Sequence, residues 1–483
     1  MVVAGAGPAG LTAAITLARA GVETLVIERR ARPSRVPRAT AISTSTMELV
    51  RSWGLERQVR EGGLDVEVRP WVTATLAAAS AGYAVDAGFP TPEQSALVSP
   101  TSPAAVPQDH LEPVLESHLR SLAPARVERG TEVLEVANGC DGVTVTLRNV
   151  ESGRRRRVRS PYLIAADGIR STVRSALGIP ASRRERLHDS IAVLFRAPLW
   201  ELVGGHRNVI YFLTGGAKPS AFVPVGRPDR WQWATEWDSA GERLADVTHP
   251  KATQWIREAA GDPAIEPLIE NIALVGFALD LAERFRDGST FLVGDAAHRI
   301  SPRGATGLNT AIRDGHDLGW KLAWVLRGWA GEPLLDTYEE ERRPVAEHNA
   351  ARSADPNGSE RAVTDELRAD LGGRIAHLWL PGESGRVSTL DLLGEGLTLL
   401  TGPRGAAWRG AAASLRWRVP VAARELDDLT ARALGIVGRG ALLVRPDGVP
   451  AALWADDDAA ARGLHRAVAR VTSGGSPLQS LAA

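Results

Sequence analysis

An α/β chain in three parts is predicted for these 483 residues from three observations. A short apolar strand opens the sequence and runs into Gly5-x-Gly7-x-x-Gly10 and a helix. A second strand, loop and helix lie around residue 300, and between them the texture turns to aromatic-containing β segments. The length suits two or three domains, and 44% apolar residues suffice for ordinary cores.

Gly5 permits the tight turn, Gly7 lets a pyrophosphate approach the backbone, and Gly10 allows a helix over residues 11–20 to pack closely on the strand. A second strand over 22–27 ends at Glu28, eighteen residues after Gly10, where a carboxylate can accept hydrogen bonds from both ribose hydroxyls. Strand, glycines, helix, strand and acid in that order predict a Rossmann-like dinucleotide site. Arg29, Arg30, Arg32, Arg35 and Arg38 follow, broken by Pro33 and Pro37, and Arg38 is the residue expected to reach a phosphate.

The spacing predicts helices over 46–55 and 107–119, with Gln108 or Asp109 near the start of the second. Residues 58–107 carry only short β-like pieces. A β-hairpin is expected over 142–159, its run of arginines forming a solvated edge. Asp167-Gly168 then repeats the strand, turn and helix-start form, with Asp167 either capping the helix or serving a ligand.

Residues 181–279 read as an inserted β-sheet domain whose one face could wall a pocket. Tyr211, Phe212, Phe222 and Trp237 are its candidate pocket residues, with core packing as the competing role. Next comes the apolar run into Gly294-Asp295 and a loop holding Pro302, Gly304 and Gly307. Leu308, Ile312, Leu318, Leu322 and Val325 then mark a long helix whose free N–H groups and partial positive charge suit a flat ligand that becomes anionic. Another helix is expected from residue 334, interrupted at Pro344, with a boundary at 353–359. Segments at 387–393, 397–401, 417–420 and 441–448 and a helix over 458–471 predict an α/β appendage.

Equal numbers of basic and acidic residues, 57 each, provide no field to recruit nucleic acid or an anionic membrane. No run reaches the roughly 18 apolar residues needed to span a bilayer. The single cysteine, Cys140, excludes an internal disulfide or multi-thiolate metal site and fits a reducing cytoplasm. No metal is expected, and a cytoplasmic protein is.

Together, Gly5-x-Gly7-x-x-Gly10 with Glu28, the Asp167-Gly168 turn, and Gly294-Asp295 with Pro302 and Gly307-Leu-Asn309 resemble the single-component FAD aromatic hydroxylases of the p-hydroxybenzoate and phenol hydroxylase type. Residues 443–448 are similar to the thioredoxin-like C-terminal domain of the phenol, chlorophenol and polyketide hydroxylase branch, although no cysteine is present there for redox chemistry. The resemblance implies an FAD-binding domain over 1–180 and 280–352, a substrate-binding sheet domain over 181–279, and a thioredoxin-like domain over 372–483.

By the same resemblance, noncovalent FAD lies on Gly5, Gly7, Pro8, Ala9 and Gly10, with Glu28 at the adenosine ribose. Arg29, Arg38 and Gln108 would serve the phosphate and ribityl region, with Gly294 and Asp295 at the ribityl chain. Gly307, Leu308 and Asn309 would line the pyrimidine edge, Pro302 would stand beside the reactive carbon, and Asp167 and Arg170 belong to the turn linked to both FAD and NAD(P)H. Ala305 departs from a family glycine, and Ser43-Thr-Ser45 replaces a more polar, arginine-containing run.

The implied reaction uses transiently bound NAD(P)H and O2 to hydroxylate a phenolic or polycyclic aromatic through a flavin C4a-hydroperoxide, plausibly as a tailoring step in secondary metabolism. A Baeyer–Villiger-type or ring-rearranging oxygenase and a non-catalytic FAD or aromatic-ligand binder are the competing readings. No Trp-x-Trp-x-Ile-Pro element supports a halogenase. Homodimerisation is left open.

Overall fold

The computed structural model describes residues 1–475 apart from 217, 356 and 384, and the side chains of these residues apart from 183–186. Its organising layer is a six-stranded sheet in the order Ala125–Arg129, Thr24–Glu28, Val2–Ala4, Leu163–Ala165, Thr290–Leu292, Arg286–Asp287. The first five are mutually parallel, and the last closes an antiparallel hairpin at the edge. Val2–Ala4 and Leu163–Ala165 are buried throughout, as strands covered on both faces must be.

The helices Pro8–Arg19 and Gly307–Leu326 pack against each other with no room for larger side chains at two points. A Cβ on Gly315 would stand 2.3 Å from the Ala9 carbonyl oxygen, and one on Gly319 would stand 2.8 Å from the Thr16 side chain. Glycines that weaken a helix in isolation therefore bring the two cofactor-side helices into contact here.

The inserted sheet has eight strands, in the order His298–Arg299, Leu268–Ala282, Ala181–Arg196, Arg230–Trp237, Ser220–Pro224, Asn208–Leu213, Glu67–Thr73, Tyr83–Ala84. It exceeds the expected 181–279 boundary at both ends. Glu67–Thr73 comes from the stretch with little sequence signal and joins by parallel pairing to Asn208–Leu213, a non-local partnership that local patterning does not announce. The expected hairpin over 142–159 is present as part of a separate three-stranded antiparallel meander.

The C-terminal unit orders its four strands Val421–Glu425, Leu397–Thr401, Ala441–Val444, Pro450–Trp454. The first pair is parallel and the other two pairings are antiparallel, with Ala406–Ser414 and Asp428–Ala433 between strands and Ala460–Thr472 at the end. That βαβαββα arrangement is the thioredoxin-like topology. The strand expected at 417–420 lies immediately after it, at Val421–Glu425.

Pro344 does not interrupt its helix, which runs unbroken from Thr337 to Ala354. A proline inside a helix costs about 3 kcal/mol. Contacts beside it oppose that cost: Glu341 binds Lys321 and Arg445, and Arg342 binds Asp314. No helix among the described residues is long and apolar enough to cross a membrane.

Candidate cofactor and substrate site

The N-terminal turn separates its glycines into two kinds. Gly5 sits at φ +109°, and a Cβ there would meet the Ala166 carbonyl oxygen at 2.2 Å; one on Gly10 would meet the Gly5 oxygen at 2.1 Å. These two glycines hold the fold together. Gly7, the N-cap of the helix Pro8–Arg19, has nothing within 4 Å of a built Cβ and no side-chain cap. Its open face and the uncapped helix start leave backbone N–H groups that could cradle an anion. Glu28 points back at this turn, its Oε2 accepting from Ala6 N at 2.9 Å and its Oε1 from Arg30 N at 2.8 Å.

The second half of the site follows Thr290–Leu292. Gly294 turns at φ +57°, directly against Ala9 and Ala311, and starts a short 3-10 turn. Asp295 stands exposed in that turn and has no hydrogen bond or ion pair among the described residues. Crowding by surrounding protein nevertheless raises its carboxyl above the usual range, opposed by His298, Arg38 and Arg299. Ala9, Gly294 and the Gly307 helix thus bring the two distant glycine stretches together.

Past Pro302 the chain passes through Gly304 at φ +78° and Ala305 at φ +52°, the one positive-φ non-glycine residue among those described. A left-handed conformation strains a residue with a Cβ. The next residues relieve the loop by fixing it: Asn309 Nδ2 donates to the Ala305 and Ala41 carbonyls, each at 3.1 Å, and its Oδ1 accepts from Ser43 N at 2.9 Å. The Asn309 amide is therefore a clamp between the 41–43 and 303–306 loops.

Sequence reasoning missed the support beneath this loop. Asp314, fully buried, accepts from Arg342 Nε at 2.8 Å and Gly294 N at 3.2 Å, and its Oδ2 lies 2.6 Å from His298 Nε2. Burial alone would raise its carboxyl, but His298 and Arg342 outweigh that and hold it below the usual range. An acid in an otherwise apolar helix stripe was the available signal.

The remaining expected residues fall into three groups. Arg29, Arg38 and Arg170 are exposed, and Arg38 has no hydrogen bond or ion pair among the described residues. Gln108 opens the helix Gln108–Ser121 and donates to Glu112 at 2.7 Å. Asp167 spends both oxygens on the helix start, accepting from Ser171 Oγ at 2.6 Å and Val173 N at 3.0 Å.

Tyr211, Phe222 and Trp237 do not wall the cleft. All three are buried in the apolar core beneath the sheet, with Trp231 and Trp233, and the Tyr211 hydroxyl donates to the His206 carbonyl at 2.7 Å. Strand alternation is the reason: Tyr211 pairs with Phe222 and faces inward, so Phe212, paired with Ala221, turns to the other face. That face also presents His188 stacked on Phe277, with ring centroids 4.3 Å apart.

Asp317, Glu341 and Asp447 bring carboxylate oxygens within 4.8 Å of one another, a spacing that could hold a cation. Lys321 and Arg445 already pair with them, through bonds from Lys321 to Asp317 (2.8 Å) and Glu341 (3.1 Å) and from Arg445 to Glu341 (2.8 Å) and to Asp447. The group is an ion network joining the Gly307–Leu326 helix to the C-terminal unit.

An open glycine cradle, an acid at the end of the second strand and a glycine loop feeding a long helix define a dinucleotide-binding protein of the Rossmann-like class. Comparison with known proteins agrees. Residues 1–353 match a family model described as an FAD binding domain, and residues 368–474 match an aromatic-ring hydroxylase C-terminal domain. The chain is 33% identical to a tetracenomycin A2 monooxygenase-dioxygenase of Streptomyces glaucescens, covering 99% of each, and 34% identical to an aklavinone 12-hydroxylase of Streptomyces purpurascens, covering 95% of this chain and 96% of the relative. It superposes on an aklavinone-11 hydroxylase, solved as a ternary complex with FAD and aklavinone, with a TM-score of 0.88, 31% identity and 98% coverage of both chains.

The chain belongs to the FAD-dependent aromatic-ring hydroxylase family. It is an FAD enzyme of the monooxygenase type, and neither ring insertion nor non-catalytic binding is favoured by these likenesses.

Proposed function

We propose that this enzyme hydroxylates a polycyclic aromatic substrate of the polyketide type, with NAD(P)H and O2 as co-substrates. The observation that carries the reading is the contrast within the glycine turn, where Gly7 alone is free of neighbours at the mouth of an uncapped helix. The relatives' aklavinone and tetracenomycin substrates support the substrate class.

FAD held here would supply O2 activation, with NAD(P)H as the two-electron donor, one atom of O2 entering the product and the other leaving as water. The chain's own residues bind and orient. Gly5, Gly7, Pro8, Ala9 and Gly10 present backbone N–H groups to the pyrophosphate, with Arg29 and Arg38 as phosphate partners. Glu28 keeps acceptor capacity for the ribose hydroxyls, because each oxygen spends only one lone pair on a backbone amide. Asp295, otherwise unpartnered, takes the ribityl hydroxyls beside Gly294 and Gln108. The positive end of the Gly307–Leu326 helix, with Leu308 and Asn309, stabilises negative charge on the pyrimidine edge. Pro302 would border the reacting part of the flavin, and the turn at Asp167 and Arg170 would serve both cofactors. The outer face of the eight-stranded sheet, with Phe212, His188 and Phe277, covers the aromatic substrate and excludes water.

The test is stopped-flow reduction of the FAD-loaded protein by NAD(P)H, with and without tetracyclic polyketides, followed by product mass. Faster reduction with substrate and a product carrying one added oxygen are expected. Equal reduction rates across the substrate panel and no oxygenated product would overturn the proposal.

A further inference from the structure

A cavity of about 460 Å³ lies behind the nucleotide loops, bordered by the helices Gly307–Leu326, Thr337–Ala354 and Val363–Leu371 and by the turn at 445–449 of the C-terminal unit. Most of its charge is paired within the protein. Arg352 donates to Glu366 at 2.7 Å, Arg445 to Glu341 at 2.8 Å, Lys321 to Asp317 at 2.8 Å and Arg342 to Asp314 at 2.8 Å. Asp370 spends both oxygens on Ser45, accepting from its N–H at 2.9 Å and its hydroxyl at 2.8 Å.

Arg313 is different. Its guanidinium lines the cavity, yet it makes no hydrogen bond or ion pair with any described residue. Asp370, Asp447 and Glu48 act on it only from beyond bonding distance, and Arg342 repels it. Burial holds its ionisation below the usual guanidinium range, so its charge is poorly stabilised where it stands. A guanidinium carries five donors and does not give up its proton, and the half-buried side chain leaves them open to an acceptor entering the cavity.

The surroundings define that acceptor further. Thr306, Asn309, Thr310, Arg313 and His316 follow helical spacing and share the lining face of one helix. Burial, with Arg313 and Arg342 adding to it and Asp447 opposing, pushes His316 down to about 4. At neutral pH it is an uncharged donor and acceptor that does not compete for an anion. The walls beyond the charge are apolar and flat, from Phe89, Pro90, Val345 and Leu367. The volume lies within the range of about 300–1,000 Å³ usual for small-molecule pockets.

We propose that this cavity binds an aromatic carboxylic acid, its carboxylate forked onto Arg313 and its ring against Phe89, Pro90 and Leu367. Because Ser43, Thr44 and the 305–309 loop also border the cavity, an occupant sits next to the residues proposed to hold the flavin edge. The binding itself does not rest on that reading.

Isothermal titration of the FAD-loaded enzyme with 2-naphthoate, and with neutral 2-naphthamide of the same shape, tests the proposal. The acid is expected to bind at least tenfold tighter than the amide. Arg313→Gln should remove at least tenfold of the acid's affinity, and Arg313→Lys should retain an intermediate part, with melting temperatures and FAD content showing both variants folded. If Arg313→Gln does not fold, Arg313→Lys and the acid-to-amide ratio decide. No binding of the acid, equal binding of acid and amide, or undiminished binding to folded Arg313→Gln would overturn the assignment. Normal FAD loading alongside a negative titration would leave the hydroxylase reading intact, so the two proposals fail separately.

Discussion

The N-terminal nucleotide unit and the C-terminal thioredoxin-like unit use the same building block, two parallel strands joined by a helix, and differ in what they leave unspent. At the N-terminus Gly7 faces open space, and Asp295 and Arg38 lack bonding partners among the described residues. In the C-terminal unit the corresponding turn is filled: Arg409 donates to Thr401 Oγ1 at 3.0 Å and to the Gly402 carbonyl at 3.1 Å, and pairs with Glu425 at 2.9 Å. A ligand site is recognised by polar groups the fold has not used, and topology alone does not reveal it.

The largest test of this contrast is Arg445→Met. Asp447 is held down at about 2 because Arg445 outweighs the effect of burial, and Glu341 shares the same guanidinium. Removing it strands buried carboxylates, at a cost of about 3–5 kcal/mol. Chemical denaturation should show this loss while flavin absorbance of the folded protein is unchanged; a shifted flavin spectrum would blur the distinction between the two units.

Within the nucleotide unit, Gly10→Ala and Gly7→Ala should part company. The first forces a Cβ to within 2.1 Å of a carbonyl oxygen and should cost about 3 kcal/mol or more. Gly7→Ala should melt normally and hold FAD more weakly, measured by cofactor release on dilution. Equal melting temperatures for the two variants would contradict the division of labour among the glycines.

A pH titration sharpens the account of the interdomain region. His316 has a native value of about 4 against an ordinary 6.5, so the unfolded chain takes up a proton first as pH falls. Stability from this residue is complete above pH 6.5 and declines as pH falls toward 4, by about 3 kcal/mol. Asp317, raised to about 6 by burial, works in the opposite sense between pH 6 and 3.8. His316→Gln should therefore flatten only the decline, as read by melting temperature across that window.

Smaller effects are expected in the apolar core beneath the eight-stranded sheet. Tyr211→Phe removes one hydrogen bond donated to His206 O and one accepted from Asn208 N, costing about 1–2 kcal/mol, with turnover of the folded enzyme unaltered. Smallest is Ala305→Gly, which relieves a left-handed residue and should raise stability by about 0.5–1 kcal/mol in thermal melts.

What was legible in the sequence was local. The glycine turn, Glu28 and the 307–326 helix each declare themselves within a few residues, and the C-terminal strands nearly so. What was not legible depends on partners far along the chain. Asp314 makes sense only with Arg342 and His298, and the inward turn of Tyr211 only with the register that pairs it to Trp71 and Phe222. Gly315 and Gly319, costly in an isolated helix, make sense only with Ala9 and Thr16 packed against them.

The Gly307–Leu326 helix carries one more consequence. Its far end contributes Trp320 and Trp324 to the same buried cluster as Trp408, Leu399 and Leu464 of the C-terminal unit, and the Trp324 indole donates to the Glu395 carbonyl at 2.8 Å. Cutting the chain at the paired glycines 372–373 would not yield two independent pieces, because each fragment would carry half of one tryptophan-rich interior into water. The two parts are bound to a common turnover: a protease that opens the linker condemns both, and a gene that lost the last hundred or so codons would encode a protein prone to clump.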